Sequence, residues 1–145
     1  TFAKLMPPLR SKKDAAALQN ALKAGKIKFL SSLHSPKSIT HKDVSFDEAS
    51  FGVDSICEYL SLCYSFLVKN GAFSWSKLCE VTSLNQAAFL GLNSGDIAVG
   101  KEANFVLFDE SAKCKSSQNS LYAKDELTGK VVAHFIKGER VFADK

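Results

Sequence analysis

The chain has 145 residues, with 46% hydrophobic and 23% charged residues, which is ordinary for one globular domain with its own core. The net charge of +4 comes from 19 basic and 15 acidic residues that are interspersed, so no cationic stripe indicates a nucleic-acid partner. A bilayer span needs about 20 consecutive apolar residues. The longest apolar region, Ile56–Val68, is interrupted by Glu58, Ser61 and Ser65, and we expect no membrane partner.

The cysteines and histidines do not form a metal-binding pattern. No two cysteines make a C-x-x-C pair, and the spacings fit no zinc finger or ribbon. Unpaired thiols are typical of a reducing compartment, so we expect a cytoplasmic protein with no metal site in this chain. The residues concerned are Cys57, Cys63, Cys79, Cys114, His34, His41 and His134.

The first third of the chain predicts a short helix and then a strand. Two prolines make Met6–Arg10 rigid and extended. Ser11 is then a predicted helix N-cap, with Asp14 in the first turn and Gly25 ending the helix. The apolar run Ile27–Leu33 predicts a strand.

The middle of the chain predicts a long loop followed by helices. Residues 34–50 carry loop-forming residues, and a loop of this length is often functional. Ser55–Lys69 has apolar residues at helical spacing on one face. Ser74 is expected to cap the next helix, and a further helical stretch, 85–90, ends at Gly91.

The last third changes to a β pattern. Phe105–Phe108 is a predicted strand, 111–120 a loop, and Val131–Ile136 with Arg140–Phe142 a hairpin around a glycine-containing turn. The predicted strand at 27–33 has no partner in its own half, and an unpaired strand edge is unstable. Its neighbours must therefore come from an upstream part of the same polypeptide or from another copy in a homo-oligomer. Thr1 is not a methionine, which also leads us to expect processing or a longer parent chain.

Four stretches resemble the C-terminal portion of dihydroorotases, a group within the amidohydrolase superfamily. Pro7–Arg10 resembles that family's Asn-Pro-Pro-Leu-Arg motif, and Phe29–Lys37 its apolar strand ending in Asp-His-Ala-Pro-His. Phe46–Val53 resembles its Ala-Pro-Phe-Gly-Ile loop, and Gly95–Asp109 the run that enters its small β-sandwich. The resemblance covers nearly the whole chain in the correct order.

The resemblance implies an α/β fold, as the C-terminal fragment of a metal-dependent (β/α)8 hydrolase barrel followed by strands of a small β-sandwich. Residues 1–93 would supply the last barrel strand and its flanking helices, and residues 94–145 the sandwich portion. The family uses zinc, whose histidine and carboxylated-lysine ligands would lie upstream of this chain. Its active site lies at the C-terminal ends of the barrel strands.

The departures from the family pattern fall on its chemical positions. The aspartate that binds metal and transfers a proton is replaced by Leu33, which does neither. The histidine that contacts the substrate carboxylate is Lys37, a flexible point charge, and the asparagine before the Pro-Pro-Leu-Arg motif is Met6. We therefore predict no catalytic residue and no metal ligand in this chain.

Part of the family's binding loop is retained. Phe51 and Gly52 match it, and with Lys37 they are the predicted substrate-binding residues. The alternative for Phe51 and Gly52 is a purely structural loop anchor. His34 and Arg10 are expected to have structural roles.

Three functions follow from this pattern. The first is a non-catalytic dihydroorotase-like protein of pyrimidine biosynthesis with a structural role, for example in assembly with aspartate carbamoyltransferase. The second is an active cyclic amidohydrolase of the dihydroorotase or allantoinase type, with a base supplied by Asp43, Asp47 or Glu48 in place of Leu33. The third is a free-standing interaction module that dimerises or refolds locally to cover its strand edges.

Overall fold

The first helix forms where its capping residues predict it. The computed structural model of the protein describes residues 1–144, and helix α1 spans Lys12–Lys23. The Ser11 side chain accepts from the backbone N–H of Asp14, and the Asp14 carboxylate accepts from the backbone N–H of Ser11. This capping box satisfies two backbone donors that the helix cannot. Gly25, at φ 74°, follows the C-cap as predicted.

The predicted strand Ile27–Leu33 does not form a ladder with another strand in the described part of the chain. The segment is extended and makes one isolated parallel bridge, between His34 and Val53. Side chains bond three alternate carbonyls of the segment instead. Asn85 Nδ2 donates to Lys28 O, Tyr59 Oη to Leu30 O, and Ser55 Oγ to Ser32 O, at 2.9, 2.8 and 2.7 Å. The run is therefore extended, and its pairing in a sheet stays a prediction, because the neighbouring strands are expected outside the described part of the chain.

The middle of the chain is a layer of short helices. A four-residue helix α2, Ile39–Lys42, interrupts the predicted loop. Helix α3, Tyr59–Cys63, begins four residues later than predicted and continues as a π-helical segment, Tyr64–Val68. Helix α4, Trp75–Cys79, is capped by Ser74 as predicted and continues as a second π-helical segment, Glu80–Leu84. Helix α5, Asn85–Leu90, ends at the left-handed Gly91, also as predicted.

The core of this layer lies where α1 meets the helices that follow the extended segment. Leu22, Phe73 and Val81 form a buried cluster, and Ile27 and Leu30 of the extended segment pack against it. Leu78 lies nearby in sequence and is 1% exposed. Burying a side chain of this size stabilises the fold by about 1.5–3 kcal/mol.

A three-stranded antiparallel sheet, in the order β1-β2-β3, forms the C-terminal part. Strand β1 spans Phe105–Cys114, β2 Leu127–Ile136 and β3 Glu139–Ala143. The hairpin β2–β3 is confirmed, and its turn has positive φ at Lys137 and Gly138. The predicted loop 111–120 is wrong in its first half, because β1 continues to Cys114 through irregular pairing with β2.

The sheet docks directly on the helical layer. Ser65 Oγ donates to Thr128 O and accepts from Thr128 N, both at 3.0 Å. Trp75 Nε1 donates to the Glu110 carboxylate at 2.8 Å, and Tyr64 Oη donates to it at 3.0 Å.

A domain boundary between residues 93 and 94 stays a prediction. No described helix is long and apolar enough to cross a membrane.

Replacing Leu78 by alanine should lower the free energy of unfolding by about 2–5 kcal/mol, because it leaves a cavity in a close-packed site. The same substitution at Leu18, which is 60% exposed on α1, should change it by less than about 0.5 kcal/mol. Urea denaturation followed by circular dichroism measures both. Equal losses for the two variants would contradict this assignment of the core.

Replacing Leu33 by asparagine should stabilise the protein by about 1 kcal/mol. Leu33 has φ 51°, and a left-handed conformation costs an ordinary L-residue about 1–2 kcal/mol, whereas asparagine tolerates it. Leu9→Asn is the matched control, because Leu9 is also exposed and has no positive φ. Thermal denaturation of both variants tests the expectation, and a lower melting temperature for Leu33→Asn than for Leu9→Asn would refute it.

Candidate functional site

The C-terminal end of the extended segment is the centre of the candidate site. Leu33 is 49% exposed there, and its side chain brings no polar group to the position. The next residues turn towards the loop 50–53, where His34 bridges Val53 and the Ser35 N–H donates to Val53 O at 2.8 Å. Two regions that are far apart in sequence therefore meet beside Leu33.

His34 has a structural role at this junction. Its Nδ1 accepts from the backbone N–H groups of Ser55 and Ile56, both at 3.2 Å. A ring nitrogen that accepts hydrogen bonds carries no proton, so the neutral form of His34 with its proton on Nε2 fits this arrangement. The Asp54 carboxylate lies 3.7 Å from the same nitrogen. His34 thus fixes the chain ahead of α3, in agreement with its expected role.

Gly52 is required by close backbone contact. It has φ 137°, and a Cβ there would lie 2.2 Å from Ser35 O and 3.2 Å from Lys37 Cε. No side chain fits in that space without displacing the backbone. The structure thus brings two of the three predicted binding residues, Lys37 and Gly52, next to each other.

A buried lysine, Lys42, anchors the loop 50–53. Lys42 is 3% exposed, and its Nζ donates to Ser50 O at 3.0 Å, to Gly52 O at 2.9 Å and to Lys4 O at 3.5 Å. Burial lowers the pKa of Lys42 below its ordinary value, and the positive charges of Lys4 and Lys37 lower it further. One cation therefore ties the N-terminal segment to the loop that carries Phe51.

Phe51 is contacted by a second lysine. Lys4 Nζ lies 4.8 Å from the centre of the Phe51 ring and 5.4 Å from that of Phe46, within the range of cation–π attraction. The same ammonium group donates to Phe46 O and Asp47 O at 2.8 and 2.9 Å. The ring itself remains 46% exposed. This packing favours the loop-anchor alternative for Phe51, although its exposed part leaves room for a ligand contact.

The loop carboxylates that were considered as replacement bases lie in other local contacts. The Glu48 carboxylate accepts from Ser45 Oγ at 2.8 Å, and Asp43 forms the C-cap of α2. Neither these two side chains nor Asp47 makes a hydrogen bond to His34 or Lys37 in the described residues. Asp54 instead contacts the end of the extended segment, with its carboxylate 3.7 Å from His34 Nδ1.

Two cavities border the extended segment and the sheet. One of about 330 Å³ is lined by Leu33, Cys63, Phe66 and Tyr122, among others, and a larger one of about 800 Å³ lies between α4 and β1. Burial raises the pKa of the Cys63 thiol to about 11, so the thiol is protonated at neutral pH and is a poor nucleophile. No three metal-ligating side chains lie together within residues 1–144.

Sequence reasoning missed three residues of this site. Lys42 and Lys4 have no sequence signal of their own, because a lysine in a polar stretch is usually solvated. Asp54 is a departure from the resembled motif, but that departure alone does not predict which residue Asp54 contacts. Met6 is 62% exposed. Its thioether is only a weak hydrogen-bond acceptor and cannot replace the contacts that an asparagine amide makes.

Comparison with known proteins agrees with this architecture. Residues 6–141 match the model of the amidohydrolase family. A "Probable dihydroorotase-like protein" of Helicobacter pylori (strain ATCC 700392 / 26695) is 39% identical over 140 residues, which cover 96% of this chain and 36% of that protein. A dihydroorotase of Elusimicrobium minutum is 34% identical, with 94% of this chain and 33% of that protein covered.

Solved structures show the same fold relationship. The dihydropyrimidinase of Brevibacillus agri NCHU1002 superposes with a TM-score of 0.87 at 27% identity, over 99% of this chain and 34% of that one. A D-hydantoinase from Bacillus sp. AR9 also superposes with a TM-score of 0.87, at 29% identity over the same shares.

This chain spans about a third of the length of the curated relatives that it matches. The family match over residues 6–141, together with the dihydroorotase-like relatives, confirms the resemblance in its sequence motifs. The chain belongs to the amidohydrolase family, with dihydroorotase and dihydroorotase-like homologues.

Proposed function

We propose that this chain is part of a dihydroorotase-like protein of pyrimidine biosynthesis that does not hydrolyse its family's substrate and has a structural role. The observation that carries the proposal is Leu33 at the position of the family's base. A positioned general base contributes about 10²- to 10⁴-fold to a rate, and an aliphatic side chain contributes none of it. The four free cysteines support the cytoplasmic location that forms part of this proposal.

The family's zinc does not fit the residues present here. The position that would supply a carboxylate ligand carries Leu33, and no three metal-ligating side chains lie together within residues 1–144. No step of a reaction is therefore assigned to these residues. Zinc ligands from an upstream part of the polypeptide belong to the second candidate function.

An assembly role is supported by the apolar surface. Phe89 and Ile97 are 76% and 86% exposed, and Val141 and Phe142 of β3 are 56% and 46% exposed. We take these exposed apolar side chains as candidate contacts with other protein surface, including the upstream part of the polypeptide. Upstream sequence of the same polypeptide, a second copy and aspartate carbamoyltransferase are the partners in this proposal.

The second candidate is an active cyclic amidohydrolase with a displaced base. Two observations favour it: several relatives at 32–36% identity are named dihydroorotases, and the Asp54 carboxylate lies close to the end of the extended segment. Asp54 is 3.7 Å from His34, at a site where Asp43, Asp47 and Glu48 make no such contact.

The complete natural polypeptide should show no turnover of dihydroorotate above that of a heat-denatured sample. The assay follows dihydroorotate hydrolysis by chromatography, with a known dihydroorotase as the positive control. Aspartate carbamoyltransferase of the same organism should co-elute with it in size-exclusion chromatography. Turnover that disappears in Asp54→Asn but persists in Asp43→Asn would replace the structural role with the second candidate.

Replacing Lys42 by methionine should lower the free energy of unfolding by about 1–3 kcal/mol, because three partly buried carbonyls lose their donor. Lys23→Met, at an exposed position in the last turn of α1, is the matched control and should have little effect. Urea denaturation at pH 7 measures both. Equal stability of the two variants would remove Lys42 as the anchor of the loop.

Comparing the natural protein with Lys42→Met also tests the pKa of Lys42. Its pKa is lower in the folded protein, so between that value and the ordinary 10.5 the unfolded chain binds more protons. Stability contributed by this group therefore rises with pH in that window. The unfolding free energy of the natural protein relative to Lys42→Met should increase as the pH approaches 10.5, and a decrease would contradict the lowered pKa.

A further inference from the structure

The larger of the two cavities lies between α4 and β1, where the sheet docks on the helical layer. Its volume of about 800 Å³ falls within the range of small-molecule sites, about 300–1,000 Å³. Its walls are mainly apolar and aromatic, and they include the side chain of Leu78 and the rings of Trp75, Phe105 and Phe108. The proposed structural role assigns nothing to this cavity.

The charged groups in the wall of this cavity are all acidic. Glu80, Asp96 and Glu110 line it, and no lysine, arginine or histidine of the described residues does. Two of the three have their own cation, because Lys77 Nζ lies 2.8 Å from the Glu80 carboxylate and Lys101 pairs with Asp96. Within residues 1–144, Glu110 forms no ion pair. The wall therefore contains one carboxylate without a balancing cation, in a chain whose net charge is +4.

Two neutral donors hold the Glu110 carboxylate in position. Its Oε1 accepts from Trp75 Nε1 at 2.8 Å, and its Oε2 accepts from Tyr64 Oη at 3.0 Å. A carboxylate has about four acceptor positions on its two oxygens, so these two bonds leave about half of them free. Burial raises the pKa of Tyr64, and the hydrogen bond to Glu110 and the negative charge of Glu110 raise it further. Neither donor balances that charge.

Aromatic rings lie around the same carboxylate. The Trp75 ring stacks on that of Tyr64 at 5.5 Å between centres, and the Phe108 ring meets both edge to face at 5.3 Å. A Cβ at Gly129 would lie 2.3 Å from Phe108 Cζ and 2.8 Å from Tyr64 Cδ1, so the glycine leaves that space to the rings. An organic cation has a charge that pairs with a carboxylate and an apolar body that packs on aromatic rings. The composition of this wall fits such a ligand.

We propose that Glu110, together with Trp75 and Phe108, forms a binding site for one organic cation, an ammonium or guanidinium group on an apolar stem. The charged group bonds to the free acceptor positions of Glu110, and the stem lies against the apolar and aromatic wall. Two sources can supply this chemistry: a free amine, or a lysine or arginine side chain of the upstream part of the polypeptide. The site shares no residue with the loop 50–53 and does not depend on whether the protein is catalytic.

Binding of benzylamine to the complete natural polypeptide tests for a free amine. The indole N–H of Trp75 donates to Glu110, so its nuclear magnetic resonance signal reports on the site. Isotope-labelled tryptophan makes this signal visible, and its loss in Trp75→Phe assigns it. Benzylamine should shift the signal saturably at neutral pH. Its Kd should be about tenfold or more below that of benzyl alcohol, which has the same shape without the charge, because charge-assisted hydrogen bonds are the stronger ones.

Glu110→Gln removes the charge and can keep both local contacts. The carboxamide oxygen accepts from Trp75 Nε1, and the carboxamide NH₂ group donates to Tyr64 Oη. This variant should bind benzylamine about tenfold or more weakly than the natural protein, and benzyl alcohol within about twofold of it. Glu139→Gln, at an exposed position of β3, is the matched control and should bind both compounds as the natural protein does.

A cation supplied by the upstream part of the polypeptide gives a different result. The site is then already filled, and benzylamine does not bind to the natural protein. Glu110→Gln should lower the equilibrium constant of folding about tenfold or more relative to Glu139→Gln, because the enclosed cation loses its charged partner. Urea denaturation of the complete polypeptide measures both variants.

Each of these two results supports the cation site and identifies its source. Three results would overturn the proposal. The first is equal binding of benzylamine and benzyl alcohol, and the second is benzylamine binding that persists unchanged in Glu110→Gln. The third is a natural protein that does not bind benzylamine, together with equal stability of Glu110→Gln and Glu139→Gln.

Discussion

The fold depends on one continuous helix placed between the extended segment and the sheet. At its start, Tyr59 Oη donates to Leu30 O, and six residues later Ser65 exchanges two hydrogen bonds with Thr128. Tyr64 adds the contact with Glu110, and its ring stacks on Trp75 at 5.5 Å between centres. Burial raises the pKa of the Tyr59 hydroxyl, which keeps it a proton donor to the carbonyl across the physiological range. Because the same ten residues contact both sides, moving either side disturbs the other.

Local sequence signals predicted what local chemistry decides. The capping box at Ser11, the serine cap at Ser74 and the left-handed end at Gly91 were each readable from a few neighbouring residues. The hairpin turn at Gly138 was readable for the same reason. The family motifs were recognisable because each is a short run in which residue type and spacing are both specific.

The contacts that could not be predicted are those in which the two partners are distant in sequence. The composition of Ile27–Leu33 predicts an extended run, but it does not indicate that side chains of the helical layer bond its carbonyls. The burial of Lys42 depends on carbonyls from residues 4, 50 and 52, which meet only in the folded chain. The burial of Glu58 likewise depends on a loop more than sixty residues away.

Leu33 has a backbone conformation that is unusual for its side chain. A left-handed conformation is unfavourable for leucine, whereas aspartate and asparagine tolerate it better than most side chains. An aspartate, which the resembled motif carries at this position, would adopt this backbone conformation at lower cost than leucine does. The surrounding contacts anchor the segment: His34 fixes it to residues 55 and 56, and Gly52 lets the loop pass close to Ser35. Leu33 thus suits neither the backbone conformation nor proton transfer, while the contacts around it hold the segment in place. This combination supports the proposed non-catalytic role.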